Sequence, residues 1–171
     1  ELNPKKTIEH FWKETVSSLP GRFQILDKEK PTVLLDNASN IDAFSNFLLG
    51  IRLLHYRRAL KGLTLIIGCP QETLDYQEFL RSIRYFFKKT SGNIIICGAP
   101  ARADLSTSSW DPEKVAQDMK TFKIKARAAR NFKEAFESAK KIVNERHGLI
   151  AIAGSDSFIA EYWHYKGIKK L

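Results

Sequence analysis

Apolar residues recur along the chain in two alternating rhythms. Short aliphatic and β-branched runs at 22–26, 32–35, 63–67, 93–97, 122–126 and 149–153 are mostly continuous, the pattern of strands buried on both faces. Longer segments between them carry apolar stripes. Tyr76, Phe79, Leu80, Ile83, Phe86 and Phe87 fall at helical spacing, as do Phe132, Ala135, Phe136, Ala139, Ile142 and Val143. Ile41, Phe44, Leu48 and Ile51 make a third stripe, and 155–165 a shorter fourth. Such stripes aim their aromatics at a core rather than at a ligand. Strand–helix alternation of this kind predicts a mainly parallel sheet with helices on both faces. Leu34, Ile66, Ile95 and Ile152 are then core residues on neighbouring strands, covered by Phe44, Phe86 and Phe136.

Three places depart from that rhythm. Residues 122–127 (Phe-Lys-Ile-Lys-Ala-Arg) alternate apolar and cationic side chains, which predicts an edge strand with a charged outer face. No aromatics interleave on that face, which argues against a nucleic-acid patch. Residues 1–21 hold a short helical pattern (Ile8, Phe11, Trp12, Val16) that stops at Pro20-Gly21. Residues 99–112 read as a loop entering a helix, with Asp111 as N-cap and Pro112 in the first turn. His147, before Gly148, reads as a helix C-terminus.

In an open α/β sheet, ligands bind beyond the carboxyl ends of the strands. Asp36-Asn37-Ala38-Ser39-Asn40 follows the second run, with Ser39 or Asn40 placed to cap a helix whose free N–H groups would face an anion. Asp36 there is expected to pack against little. Gly68-Cys69-Pro70, Cys97-Gly98 leading to Arg102, and Gly154-Ser155-Asp156 end three other runs, with Ser155 or Asp156 capping the last helix. No Gly-x-x-x-x-Gly-Lys-Ser/Thr loop and no Gly-x-Gly-x-x-Gly turn is present, so neither device for cradling phosphates is available. His10, His55, His147 and His164 lack metal-ligand spacing, and no Gly-x-Ser-x-Gly elbow occurs.

Leu19-Pro20-Gly21-Arg22-Phe23-Gln24 followed by Asp36-Asn37-Ala38-Ser39-Asn40 resembles the opening of the C-terminal domain of folylpolyglutamate synthase, of the Mur ligase superfamily. The pattern there is Pro-Gly-Arg-Phe/Leu-Gln, a short gap, then Asp-Gly-Ala-His-Asn. Arg102-Ala103, Phe132-Lys133-Glu134-Ala135 and Gly154-Ser155 match in order, so the resemblance spans 19 to about 165. Ser39 stands where the pattern has His and Asn37 where it has Gly. The Asp-Lys-Asp stretch after the third strand is replaced by Gly68-Cys69-Pro70-Gln71-Glu72-Thr73.

The resemblance implies an ATP-dependent amide ligase that phosphorylates a folate carboxylate, after which the amine of glutamate attacks the acyl phosphate. It implies an α/β, three-layer Rossmann-like domain with about six strands, one of them antiparallel. Residues 1–18 become the tail or linker of a missing central ATPase domain, and 19–171 the C-terminal-like domain. Arg22 and Asp36 become nucleotide-binding residues, with Ser39, Asn40, Arg102 and Ser155 as further candidates. ATP and magnesium belong to the full-length parent and are not held tightly by this domain alone. No metal ligand and no catalytic residue is assigned to the isolated domain. The alternative is a non-catalytic Rossmann-like module that binds anionic ligands or nucleic acid through its basic surface.

Composition adds bounds. The chain has 171 residues, 43% hydrophobic and 27% charged, and 28 Lys+Arg against 19 Asp+Glu give a net charge of +9. That length suits one domain with a full core, and the charge suits an anionic partner without choosing one. No apolar run is long enough for a membrane helix. With no secretory signal layout at the N-terminus, a cytoplasmic location is expected. Cys69 and Cys97 read as buried thiols rather than a disulfide or zinc pair.

Overall fold

A computed structural model describes residues 22–38, 40–68, 75–98 and 110–167. Six strands form one sheet: β1 (Gln24–Leu26), β2 (Thr32–Asp36), β3 (Leu63–Gly68), β4 (Asn93–Cys97), β5 (Lys125–Ala129) and β6 (Leu149–Ala153). Their order is β1-β2-β6-β3-β4-β5. β1 pairs with β2 antiparallel, and every other pairing is parallel. Among the described residues five helices cover it: α1 (Ile41–Arg57), α2 (Tyr76–Lys89), α3 (Pro112–Thr121), α4 (Phe132–Ile142) and α5 (Asp156–Tyr165).

The three-layer α/β expectation holds, and strand parity explains the unbroken apolar runs. Leu34, Leu65, Ile67, Ile94, Ile96 and Ala151 face α1, α2 and α3. Val33, Leu35, Ile66, Ile95, Ile150 and Ile152 face α4 and α5. Leu34, Ile66, Ile95 and Ile152 are all buried, with Phe44, Phe86 and Phe136 over them. Leu34 points to the opposite face from the other three, and Leu35 completes their row beside Ile152.

Several boundaries need correction. β1 starts at Gln24, not Arg22. β5 starts at Lys125, because residues 122–124 close α3 instead of opening a strand. Lys123 takes a φ of 62°, its N–H donates to the Lys120 carbonyl at 2.9 Å, and the Ile124 N–H reaches the Met119 carbonyl at 3.2 Å. That pair of bonds is a Schellman closure with lysine in the position glycine usually takes. β5 is nonetheless an edge strand, with Lys125 and Arg127 exposed. Ile142 is exposed rather than core. His147 lies in a turn beyond α4, where Asn144 Oδ1 accepts from the N–H groups of Arg146 and His147 at 3.0 and 2.9 Å. The helical pattern in 1–21 and the linker 1–18 lie outside the described residues. No helix among those described is long and apolar enough to cross a membrane.

Candidate functional site

The parallel strands end together on one rim, and the antiparallel β1 brings its own start to it. Gln24 pairs with Leu35, so the residues just before β1 stand beside the end of β2. This sets exposed Arg22 near Asp36, the last residue of β2.

Phe23 fixes that approach. Its backbone has a φ of 45°, a left-handed conformation that a bulky residue seldom holds without cause. Its ring is buried and fills a socket that exists only because α1 has Gly50 there. A Cβ on Gly50 would lie 2.3 Å from Phe23 Cε2. With the ring anchored, the Phe23 N–H donates to the Asp36 carboxylate.

Asp36 is only 8% exposed, which corrects the expectation that it packs against little. β6 flanks β2 on the other side: Asp36 pairs with Ala153, and the Gly154 N–H donates to the Asp36 carbonyl at 3.2 Å. Loss of water pushes the Asp36 carboxyl up to about 7, against the Arg22 charge and the Phe23 N–H, which both hold it down. Near neutral pH the group therefore exchanges between carboxylate and neutral acid.

Two helix N-termini meet the same rim from opposite faces of the sheet. Asn40 Oδ1 accepts from the Ala43 N–H at 2.8 Å and caps α1. Ser155 Oγ accepts from the Phe158 N–H at 3.3 Å and caps α5. Both caps follow the sequence reading, and so does Asp111, which accepts from the Glu113 N–H ahead of Pro112. The structure adds a bridge: Asn37 Nδ2 donates to Asp156 Oδ1 at 2.9 Å, joining the end of β2 to the first turn of α5. No sequence signal marks that pair, which is 119 positions apart. Phe158 plugs the floor between β3 and β6. A Cβ on Gly68 or Gly154 would lie 2.5 or 2.7 Å from its ring, so glycine is required at both strand ends.

An anion at this rim would meet the Arg22 guanidinium, a fixed fork suited to phosphate oxygens, and the positive ends of α1 and α5. A magnesium ion does not fit the described residues. Asp36 is one carboxyl group, half neutral near pH 7 and beside a guanidinium. No group of three or more His, Cys, Asp and Glu gathers among those described. Ser39, residues 69–74 with Cys69, and residues 99–109 with Arg102 lie outside the described residues. Cys97 is buried and free, and burial pushes its thiol up to about 12, so it serves as a small apolar side chain.

No protein-family model and no curated protein matches the chain. Solved structures do. A bifunctional folylpolyglutamate synthase/dihydrofolate synthase from Yersinia pestis, complexed with AMPPNP and Mn ion, matches with a TM-score of 0.61 at 17% identity. The match covers 88% of this chain and 32% of that one. The fold is one that folylpolyglutamate synthases carry. E. coli FolC in complex with ADP matches at a TM-score of 0.62 and 17% identity, over 87% of this chain and 32% of FolC. A UDP-N-acetylmuramate–alanine ligase from Thermotoga maritima matches at 0.55 and 14%, over 97% of this chain and 37% of the ligase. This chain spans about a third of the length of each ligase. The similarity is one of fold, and it falls on the ligases that the Pro20 to Asn40 motifs resemble.

Proposed function

We propose that residues 19–171 form the nucleotide-closing domain of an ATP-dependent amide ligase of the folylpolyglutamate synthase type. Residues 1–18 lead in from a separate domain that holds the phosphate loop and magnesium. The observation that carries this reading is the juxtaposition of Arg22 and Asp36 on the carboxyl-end rim, set by the buried Phe23 anchor. Arg22 binds phosphate oxygens through its paired N–H groups. Asp36 lies beside it and, as a neutral acid, adds a hydrogen-bond donor without repelling the anion; a nearby phosphate favours that neutral form. The ends of α1 and α5 add partial positive charge at no cost in reorganisation. Further support comes from two similar structures, one complexed with AMPPNP and one with ADP.

In the reaction of such a ligase, ATP converts an acceptor carboxylate to an acyl phosphate and an amine displaces phosphate from it. This domain contributes closure and orientation to that chemistry. The 171-residue chain alone is therefore expected to release no magnesium-dependent ADP when given folate and glutamate, whereas the same chain joined to its ATPase domain does. ADP release by the isolated chain above a buffer control would overturn the reading. So would nucleotide-independent binding of nucleic acid that weakens steeply with salt.

A further inference from the structure

The helices on the β2–β4 side leave an apolar groove that the ligase reading does not use. α1 and α2 each connect one parallel strand to the next, so they run in the same direction. They touch through Phe44 and Phe79, whose ring centroids are 5.0 Å apart. Between their outer ridges lies a groove of about 200 Å³, lined by Ser45, Leu49, Arg52, Ser82 and Tyr85 among others. Leu49 is 46% exposed and Tyr85 55%. The Arg52 guanidinium lies over the Tyr85 ring, 5.4 Å from its centroid.

The two ridges carry the same order of side chains. Along α1 it is Asp42, Ser45, Leu49, Arg52; along α2 it is Glu78, Ser82, Tyr85, Lys89. Each runs from acid through a small hydroxyl and a large apolar group to a base. At roughly 1.5 Å per residue, Asp42 to Arg52 spans about 15 Å of helix and Glu78 to Lys89 about 16 Å.

We infer that this face pairs two copies of the chain about a two-fold axis perpendicular to the helices. That axis lays α1 antiparallel on the partner's α1 and α2 on the partner's α2. Asp42 then meets Arg52 of the other copy, and Glu78 meets Lys89. Leu49 falls on Ser45 and Tyr85 on Ser82, so each large side chain faces a small one. A two-fold axis parallel to the helices would set acid against acid and base against base, so charge selects the perpendicular one. Isologous interfaces require this kind of self-complementarity. The inference does not depend on the ligase reading.

Sedimentation equilibrium of the 171-residue chain, from micromolar to millimolar concentration, tests it. A monomer–dimer equilibrium is expected. Leu49→Glu should weaken it about tenfold or more while leaving the circular dichroism unchanged. Lys89→Glu sets Glu against Glu78 of the other copy and should weaken dimerisation; the double variant Glu78→Lys, Lys89→Glu restores opposite charges and should recover most of it. A monomer throughout the range overturns the inference. So does a dimer indifferent to Leu49→Glu, or one that the charge swap fails to rescue. A monomer whose Leu49 and Tyr85 resonances shift only when an ATPase domain is added assigns the face to that domain and equally overturns it.

Discussion

At pH 8 the native chain holds Asp36 largely as a carboxylate in a place where burial has pushed its titration up to about 7. In the unfolded chain the same group titrates near 4. Below that value both states are protonated and ionisation takes nothing from the fold. Between about 4 and 7 the native state binds more protons than the unfolded one, so stability falls as pH rises. Above 7 the penalty is complete. Asp36→Asn should therefore stabilise the chain by about 2–4 kcal/mol at pH 8 and change little at pH 4, as read by denaturant unfolding at both values. A variant no more stable than wild type at pH 8 would mean that the carboxylate is adequately solvated or paired. Stabilisation by Asp36→Asn would fit the proposed nucleotide site, where a buried carboxyl is kept at a cost in stability. Arg22 and Asp36 were legible in the sequence because both sit in short motifs bounded by Pro20-Gly21 and by the end of an apolar run. What holds them together was not. The Phe23 ring needs a gap at Gly50, and a lone glycine inside a helical stripe gives no hint of what fills the space above it.

α3 shows how an element can end without a sequence sign. Lys123 occupies a left-handed position, with a φ of 62°, where a side chain adds strain that glycine lacks. Lys123→Gly should thus stabilise the chain by about 1 kcal/mol; a loss of stability in thermal unfolding would show that the lysine side chain makes a compensating contact. The missing glycine also explains why alternation over 122–127 read as one strand, when its first three residues close a helix. The other helices were plain because their caps have ordinary chemistry: Asn40, Asp111 and Ser155 each accept a backbone N–H. In α4, Phe136 packs against Tyr162 and Tyr165, at centroid distances of 5.7 and 5.1 Å, and is 4% exposed. Phe136→Ala should cost about 3–5 kcal/mol. A change below about 1 kcal/mol in denaturant unfolding would place this ring outside the cooperative core.

The sheet order follows from connections that the chain makes locally, except for β6. That strand enters between β2 and β3 and brings Gly154, Ser155 and Asp156 to the end of β2. Such an insertion leaves no local trace in the sequence, since β6 reads as one more apolar run. Its effect is to build the rim from both halves of the chain: the 22–40 segment supplies the charged groups, and the 154–158 segment supplies the wall behind Asp36 and the second helix end. On the proposed reading this rim is one face of a cleft, and a nucleotide gripped between two domains should register a defect on either face. The kinetics of ATP-dependent ligation in the full-length protein, with Arg22 substituted, measure this most directly. Arg22→Ala should raise KM for ATP by about tenfold or more, as loss of a charge-assisted pair of roughly 1.5–3 kcal/mol requires. Arg22→Lys, which keeps the charge and loses the fork, should fall between that variant and wild type. Wild-type KM and kcat in both variants would contradict the assignment of this rim to the nucleotide.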